Sequence, residues 1–218
     1  MQKNILIIDT ETIGLDKPFI YDLGIVVATY NKGTYETILE NSFIIKQIYD
    51  NKLLFETAYY HKKRPLYIKS MQSRKSIKKY WGHVARYIDK LITTYDIKTV
   101  YAYNSPFDKK AVQTTSQILK SYQPLKRVAW RDIMAISNEL IHQTKEYQDY
   151  CKWNNGITPK GYYQTNAEKT YQFIKGEPNF TEDHMGLQDA RIELEILNEC
   201  INRGYNQKAY YKKQFLRA

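Results

Sequence analysis

The chain has 218 residues, a formal charge of +10 and two cysteines, Cys151 and Cys200. That length suits one domain with a sizeable core, and two cysteines exclude a disulfide framework or a cysteine-rich metal cluster and fit a reduced, cytosolic setting. No apolar run nears the roughly 20 residues that span a bilayer, and Met1 leads directly into strand sequence, leaving no room for a secretory leader.

The positive charge points to an anionic partner, nucleic acid first. Its total says less than its distribution. The chain is rich in Lys, Ile, Asn and Tyr, whose A+T-rich codons would raise Lys and Tyr in an A+T-rich genome without a functional cause.

The first predicted strand covers residues 4–9 and opens with the apolar run Asn4-Ile-Leu-Ile-Ile8. It delivers Asp9 and Glu11, two residues apart and so on one face if the extended geometry continues. Two converging carboxylates repel unless a hard divalent cation such as Mg2+ lies between them. The alternative is a polar strand end running into a turn at Gly14. Two further strands are expected at about 21–30 and 35–46, with Asn31-Lys-Gly33 turning them into a hairpin.

The stretch after Leu53 reads as helical. From Thr57 to Ile88 it carries nine Lys or Arg and no Asp or Glu, with Tyr59, Tyr60, Tyr67, Tyr80 and Trp81 interleaved. Cations neutralise phosphates and aromatic faces stack on bases, so Lys62, Lys63, Arg64 and Lys69 are expected to contact a nucleic-acid backbone. The competing reading is a solvated helix whose aromatics face the core. Trp81, Val84, Ile88 and Leu91 follow at helical spacing and predict a core-facing helix.

A strand is predicted at 98–103, then a helix from Pro106 to about Leu119. The junction Asn104-Ser-Pro-Phe-Asp108 presents an acid in the first helical turn. This pattern also fits a capping box from Ser105 to Asp108, with Pro106 at the first helical position. Phe107 reads as a core anchor. A short strand at 125–131 and a helix at 132–150, with Ile133, Ile136, Leu140 and Ile141 on one face, come next. After a loop from Trp153 to Gly161, a helix is predicted near 166–175, ended by Gly176. The last helix, about Gly186 to Asn202, buries Leu187, Ala190, Leu194, Leu197 and Ile201. At its start, His184-Met-Gly-Leu-Gln-Asp189 places a histidine just before the helix and an acid in its first turn. A basic tail at 203–218 carries Lys208, Lys212, Lys213 and Arg217. Strands followed by alternating helix and strand predict a mixed α/β layer fold.

Taken together, Asp9, Glu11, Asp108, His184 and Asp189 resemble, in order and spacing, the DEDD superfamily of 3′–5′ exonucleases in its histidine subclass. The proofreading subunit of bacterial DNA polymerase III is a familiar member. Asp9-Thr-Glu-Thr-Ile-Gly14-Leu15 matches the first motif, Asn104 to Asp108 the second, and His184 with Asp189 the third. The tyrosine subclass would need Tyr four residues before the last Asp, where this chain has Met185. The resemblance covers residues 1–202, with weaker similarity at Trp130-Arg-Asp132 and Asn166-Ala-Glu168; the basic 57–80 stretch and the tail fall outside what matches closely.

The resemblance implies a ribonuclease-H-like fold, a central mixed sheet flanked by helices. It implies release of 5′-mononucleotides from the 3′ end of single-stranded nucleic acid, DNA favoured, with an exoribonuclease as the alternative. It also implies two divalent cations, Mg2+ or Mn2+, on Asp9, Glu11, Asp108 and Asp189, with Asp9 bridging and His184 as general base. Leu15 aligns with a position that packs on the terminal base, and Thr10, Thr12 and Asn104 are expected near the terminal nucleotide. A polymerase or other replication protein, in replication or repair, is a possible partner. Four carboxylates suit two cations about 3.5–4 Å apart around a scissile phosphate. An idle nucleic-acid-binding or protein-docking module would have no use for four mutually repelling acids.

Overall fold

A computed structural model describes residues 1–207. The tail residues Lys208, Lys212, Lys213 and Arg217 lie outside the described residues. Three long strands come first: β1 (Asn4–Ile13), β2 (Phe19–Asn31) and β3 (Thr34–Ile45). Each pairs antiparallel with the next. Lys32 and Gly33 both take positive φ, as a two-residue hairpin turn requires.

The helical stretch that follows comprises α1 (Lys46–Tyr49), α2 (Lys52–Phe55), a single tight turn at His61–Lys63 and α3 (Arg64–Gln72). It ends in a strand absent from the sequence reading, β4 (Ile77–Lys79), which pairs parallel with β3. Three residues, two of them lysines, carry too little pattern to announce a strand. Then come α4 (Trp81–Thr94), β5 (Thr99–Ala102), α5 (Ser105–Ile118) and β6 (Ala129–Asp132). The sheet order is β4-β3-β2-β1-β5-β6, with β5 parallel to both β1 and β6.

The single helix expected at 132–150 is broken. It is α6 (Ile133–Ser137), a wide turn over Asn138–His142, and α7 (Lys145–Trp153). Thr144 interrupts it because its hydroxyl oxygen caps α7, accepting from the Tyr147 N–H at 3.3 Å. α8 (Ala167–Lys175) and α9 (Gly186–Asn202) are the last two elements among the described residues, close to expectation.

Alternation along β1 sets the layers. Leu6 and Ile8 join a core with Trp81, Val84, Ile88 and Leu91 of α4 and Ala111 and Val112 of α5. Ile5 and Ile7 join the opposite core with Ile133 and Ile136 of α6 and Ala190, Leu194 and Leu197 of α9. β1 does not stop at Asp9 but runs on through Glu11, so both acids continue the α9-facing set. A register shift after Glu11 then returns Ile13 to the α4 side. Phe107, expected in the core, is only partly buried.

Candidate active site

The site forms where β1, α5 and α9 meet. α9 reaches β1 through a glycine contact. A Cβ on Gly24 would fall 2.0 Å from the Gly186 carbonyl oxygen, and one on Gly186 would fall 3.0 Å from the Asp9 carbonyl oxygen. Only a glycine pair lets the helix start this close to the strand pair. The Gly186 N–H donates to Asp22 Oδ2 at 3.0 Å, which anchors the helix start to β2. Asp22 pairs across the sheet with Glu11. Asp189 then lies one turn into α9, facing β1.

Asp108 arrives from the other side. The expected capping box does not form: Asn104, in a left-handed conformation, occupies the cap and Ser105 is already helical. The Asp108 carboxylate instead accepts from Thr10 Oγ1 at 2.8 Å, a buried bond that ties α5 to β1. Thr10 is thus buried and committed to Asp108, and its side chain positions an acid. Thr12 Oγ1 donates to the Gly14 carbonyl at 3.2 Å, ordinary turn chemistry.

His184 sits in a left-handed conformation just before α9. Its ring stacks on Tyr60 at 4.4 Å between centroids, 15° from parallel. Its Nδ1 lies 3.7 Å from Glu182 Oε2. A histidine nitrogen and carboxylate oxygens of Glu11 and Asp189 fall within 4.8 Å of one another, and a second such group joins His184 to Glu168 and Glu182. The Tyr67 hydroxyl donates to the His184 carbonyl at 3.3 Å, and Lys63 Nζ to the Asp183 carbonyl at 2.6 Å. Lys63 also covers the Tyr60 ring at 4.6 Å. The basic segment therefore roofs the site with a stacked tyrosine and one lysine.

The electrostatics are those of crowded acids. Burial first, then repulsion from Asp189, Glu193, Asp108 and Glu11, lifts Asp9 well above the carboxylate range. Burial and then Asp189 push Glu11 to about 9. Burial and then Glu182 push Asp189 to about 8. Asp108 rises to about 7 through burial, against the Thr10 hydroxyl. The His184 imidazole is held below its ordinary value by burial and then by the Lys63 ammonium. Asp189 Oδ1 and Asp22 Oδ1 are buried without a hydrogen-bond partner. Orphaned carboxylate oxygens that repel one another fit hard divalent cations, whose charge restores the ionised form.

The remaining expected contacts spread around this centre. Leu15 is 78 % exposed, an open apolar side chain beyond the end of β1. Asn104 is exposed, and its N–H donates to Asp132 Oδ1 at 2.9 Å. Lys62 and Lys69 are exposed; Lys69 borders a cleft of about 640 Å³ with Asp183, Gln188 and Arg191. Arg64 is turned inward, its guanidinium 4.8 Å from the Tyr49 ring and 5.1 Å from Phe55. Of the interleaved aromatics, Tyr67 and Trp81 are core residues, whereas Tyr59 and Tyr80 are exposed.

The sequence reading missed Tyr60 as a partner of His184. It also missed the buried acids Asp22 and Glu193, and Glu182. The two buried acids left a signal: each interrupts an apolar stretch, Ile20 to Ala28 in β2 and the inward face of α9.

No protein-family model and no curated protein sequence matches the chain. Solved structures do. The nuclease domain of 3′hExo, a DEDDh family member, bound to rAMP, is similar with a TM-score of 0.59 and 14 % identity, over 93 % of each chain. So is a 3′-exonuclease in a structure of 3′-end-specific recognition of histone mRNA stem-loop (TM-score 0.60, 14 % identity, 93 % of this chain and 64 % of that one). The zinc-bound E. coli ExoI–ssDNA complex matches with a TM-score of 0.54 and 11 % identity, over 99 % of this chain and 43 % of that one. This chain thus spans about two thirds or less of the length of two of these proteins. The likeness is one of fold: a mixed six-stranded sheet flanked by helices, of the ribonuclease-H-like kind found in these exonuclease domains.

Proposed function

We propose that the chain is a metal-dependent 3′–5′ exonuclease that removes 5′-mononucleotides from single-stranded nucleic acid. The observation that carries this reading is the convergence of Asp9, Glu11, Asp108 and Asp189, from three separate elements, into one set of mutually repelling carboxylates, Asp108 and Asp189 buried and Asp9 and Glu11 half-buried. These four would hold Mg2+ or Mn2+, which would polarise the scissile phosphate and stabilise the departing 3′ oxygen.

The chain's own groups divide the remaining work. His184, kept neutral near pH 7 by burial and Lys63, accepts the proton of the attacking water. The water oxygen forms the new bond to phosphorus as the bond to the 3′ oxygen breaks, and the terminal nucleotide leaves with a 5′ phosphate. Tyr60, stacked on the imidazole, and Glu182, near its Nδ1, orient the ring. Thr10 fixes Asp108. Leu15 offers an apolar surface to the terminal base, with Thr12 and Asn104 near the terminal sugar and phosphate. Lys62, Lys63 and Lys69 lower the cost of bringing phosphates to an acidic centre.

DNA is the favoured substrate on the sequence resemblance alone, and RNA is the second reading; the similar structures include both an ssDNA complex and one with an RNA stem-loop. A tie to a polymerase, as in the proofreading subunit of bacterial DNA polymerase III, rests on the three sequence motifs alone. The test is digestion of matched 5′-labelled DNA and RNA strands and of a closed single-stranded circle, with Mg2+ or Mn2+. A ladder shortening from the 3′ end and an intact circle are expected. Efficient cutting of the circle, or binding without cleavage of any strand, contradicts the proposal.

A further inference from the structure

We propose that Glu193 is a fifth carboxylate of the cation site, supplied by α9 one turn beyond Asp189. This inference rests on the exonuclease reading above. Four residues apart on a helix, Asp189 and Glu193 share a face. Glu193 is only 2 % exposed. The charges that bear on it are chiefly those of Asp108 and Asp189, and it in turn repels Asp9. One end of its carboxylate takes a hydrogen bond from the backbone N–H of Tyr103, just past β5. Its Oε2 is buried and has no hydrogen-bond partner.

A structural role does not account for this arrangement. The ion pairs of α9 use other residues: Arg191 with Glu40, Lys175 with Glu195, and Arg203 with Glu199. Ala190, Leu194 and Leu197 of the same helix are buried and apolar. A buried carboxyl group with an unmade hydrogen bond is costly, and a leucine or methionine there would carry no such cost. Nor can the helix swing outward to wet it, because the Gly24–Gly186 contact and the Gly186–Asp22 hydrogen bond pin its start. An oxygen-seeking cation among Asp9, Asp108 and Asp189 supplies the missing partner. The functional consequence is preloading. Mg2+ ordinarily binds through one or two carboxylates and relies on substrate phosphates, whereas an added carboxylate lets the protein hold its cations before a strand arrives.

The experiment is calorimetric titration of the full chain with Mn2+, without nucleic acid, for wild type, Asp9→Asn and Glu193→Gln. Gln reproduces the shape of a neutral Glu, so a merely structural Glu193 predicts no change in affinity. The proposal predicts a dissociation constant weakened by about 10–100-fold, as for other groups that support metal ligands. It also predicts a smaller rise of melting temperature on adding Mn2+. A change below fivefold in folded Glu193→Gln overturns it, and a change of fivefold or more upholds it. If Glu193→Gln does not fold, Glu193→Met, apolar and of similar volume, is titrated against the same threshold. Wild-type protein that binds no Mn2+, or Asp9→Asn that binds as wild type, overturns the cation-site reading itself and this inference with it. Asp9→Asn weakened beside an unaffected Glu193→Gln overturns the inference alone.

Discussion

The floor and the roof of the site are built by different physics. The floor is backbone: β1 delivers Asp9 and Glu11, the Gly24–Gly186 contact delivers α9, and Thr10 holds Asp108. Asp108 and Asp189 are buried and Asp9 and Glu11 half-buried, and Asp189 Oδ1 has no hydrogen-bond partner. The roof is side chains. Tyr60 stacks on His184, Lys63 caps both Tyr60 and the Asp183 carbonyl, and Arg64 is held against Tyr49 and Phe55. The proposed proton acceptor therefore belongs to the roof and the proposed cation ligands to the floor. Binding of cations and transfer of the proton should therefore be separable by mutation.

The largest separation is expected at the floor. Asp9→Asn removes the acid that most of the others repel, and loss of cation binding forfeits several kcal/mol of transition-state stabilisation, about 10³-fold or more in rate. Calorimetry with Mn2+ beside single-turnover cleavage checks that both fall together. At the roof, His184→Ala should lower single-turnover cleavage by about 10²–10⁴ while Mn2+ affinity stays within a few-fold of wild type. A histidine variant that cleaves at the wild-type rate would show that another group takes the proton.

The floor also predicts a pH dependence of stability. Burial and repulsion raise Asp108 to about 7, Asp189 to about 8 and Glu11 to about 9, against about 4 in an unfolded chain. The folded state therefore binds more protons than the unfolded one. This contribution to stability is full below pH 4 and is lost as pH rises through 7 to 9. In chelator, chemical denaturation should show stability falling over that window, by up to about 1.4 kcal/mol per unit for each proton released. Saturating Mn2+ should flatten the curve. Stability that rises with pH in chelator would mean that the acids are not crowded in solution.

The smallest effects belong to the roof's exposed cations. Lys62→Ala and Lys69→Ala should each flatten the salt dependence of single-strand binding by about 0.7 log units. Arg64→Ala should leave the slope nearly unchanged and lower the melting temperature instead, because its guanidinium packs on two rings. Equal slope changes at all three positions would contradict the inward placement of Arg64.

Much of this was legible in the sequence because it is local. The apolar run before Asp9, the Asn104–Asp108 junction and the His184–Asp189 spacing each announce their element and its acid. Glycines bracket the turns, and Trp81, Val84, Ile88 and Leu91 declare α4. What stayed hidden depends on distant partners. β4 exists only because β3 lends it hydrogen bonds, the break at Thr144 depends on a cap within a helix-like pattern, and the bond of Thr10 to Asp108 joins residues 98 positions apart. Glu193 was missed although it interrupts the apolar face of α9, because its relation to Asp9 and Asp108 is not local.

The measurement that bears most directly on the central claim is a single-turnover assay on a 5′-labelled DNA strand with metal-stripped protein, before and after Mn2+ is added back. The account predicts no hydrolysis in chelator, 3′-end shortening restored in wild type by Mn2+, and no restoration in Asp9→Asn. Full hydrolysis in excess chelator, or recovery of Asp9→Asn to the wild-type rate, would contradict it.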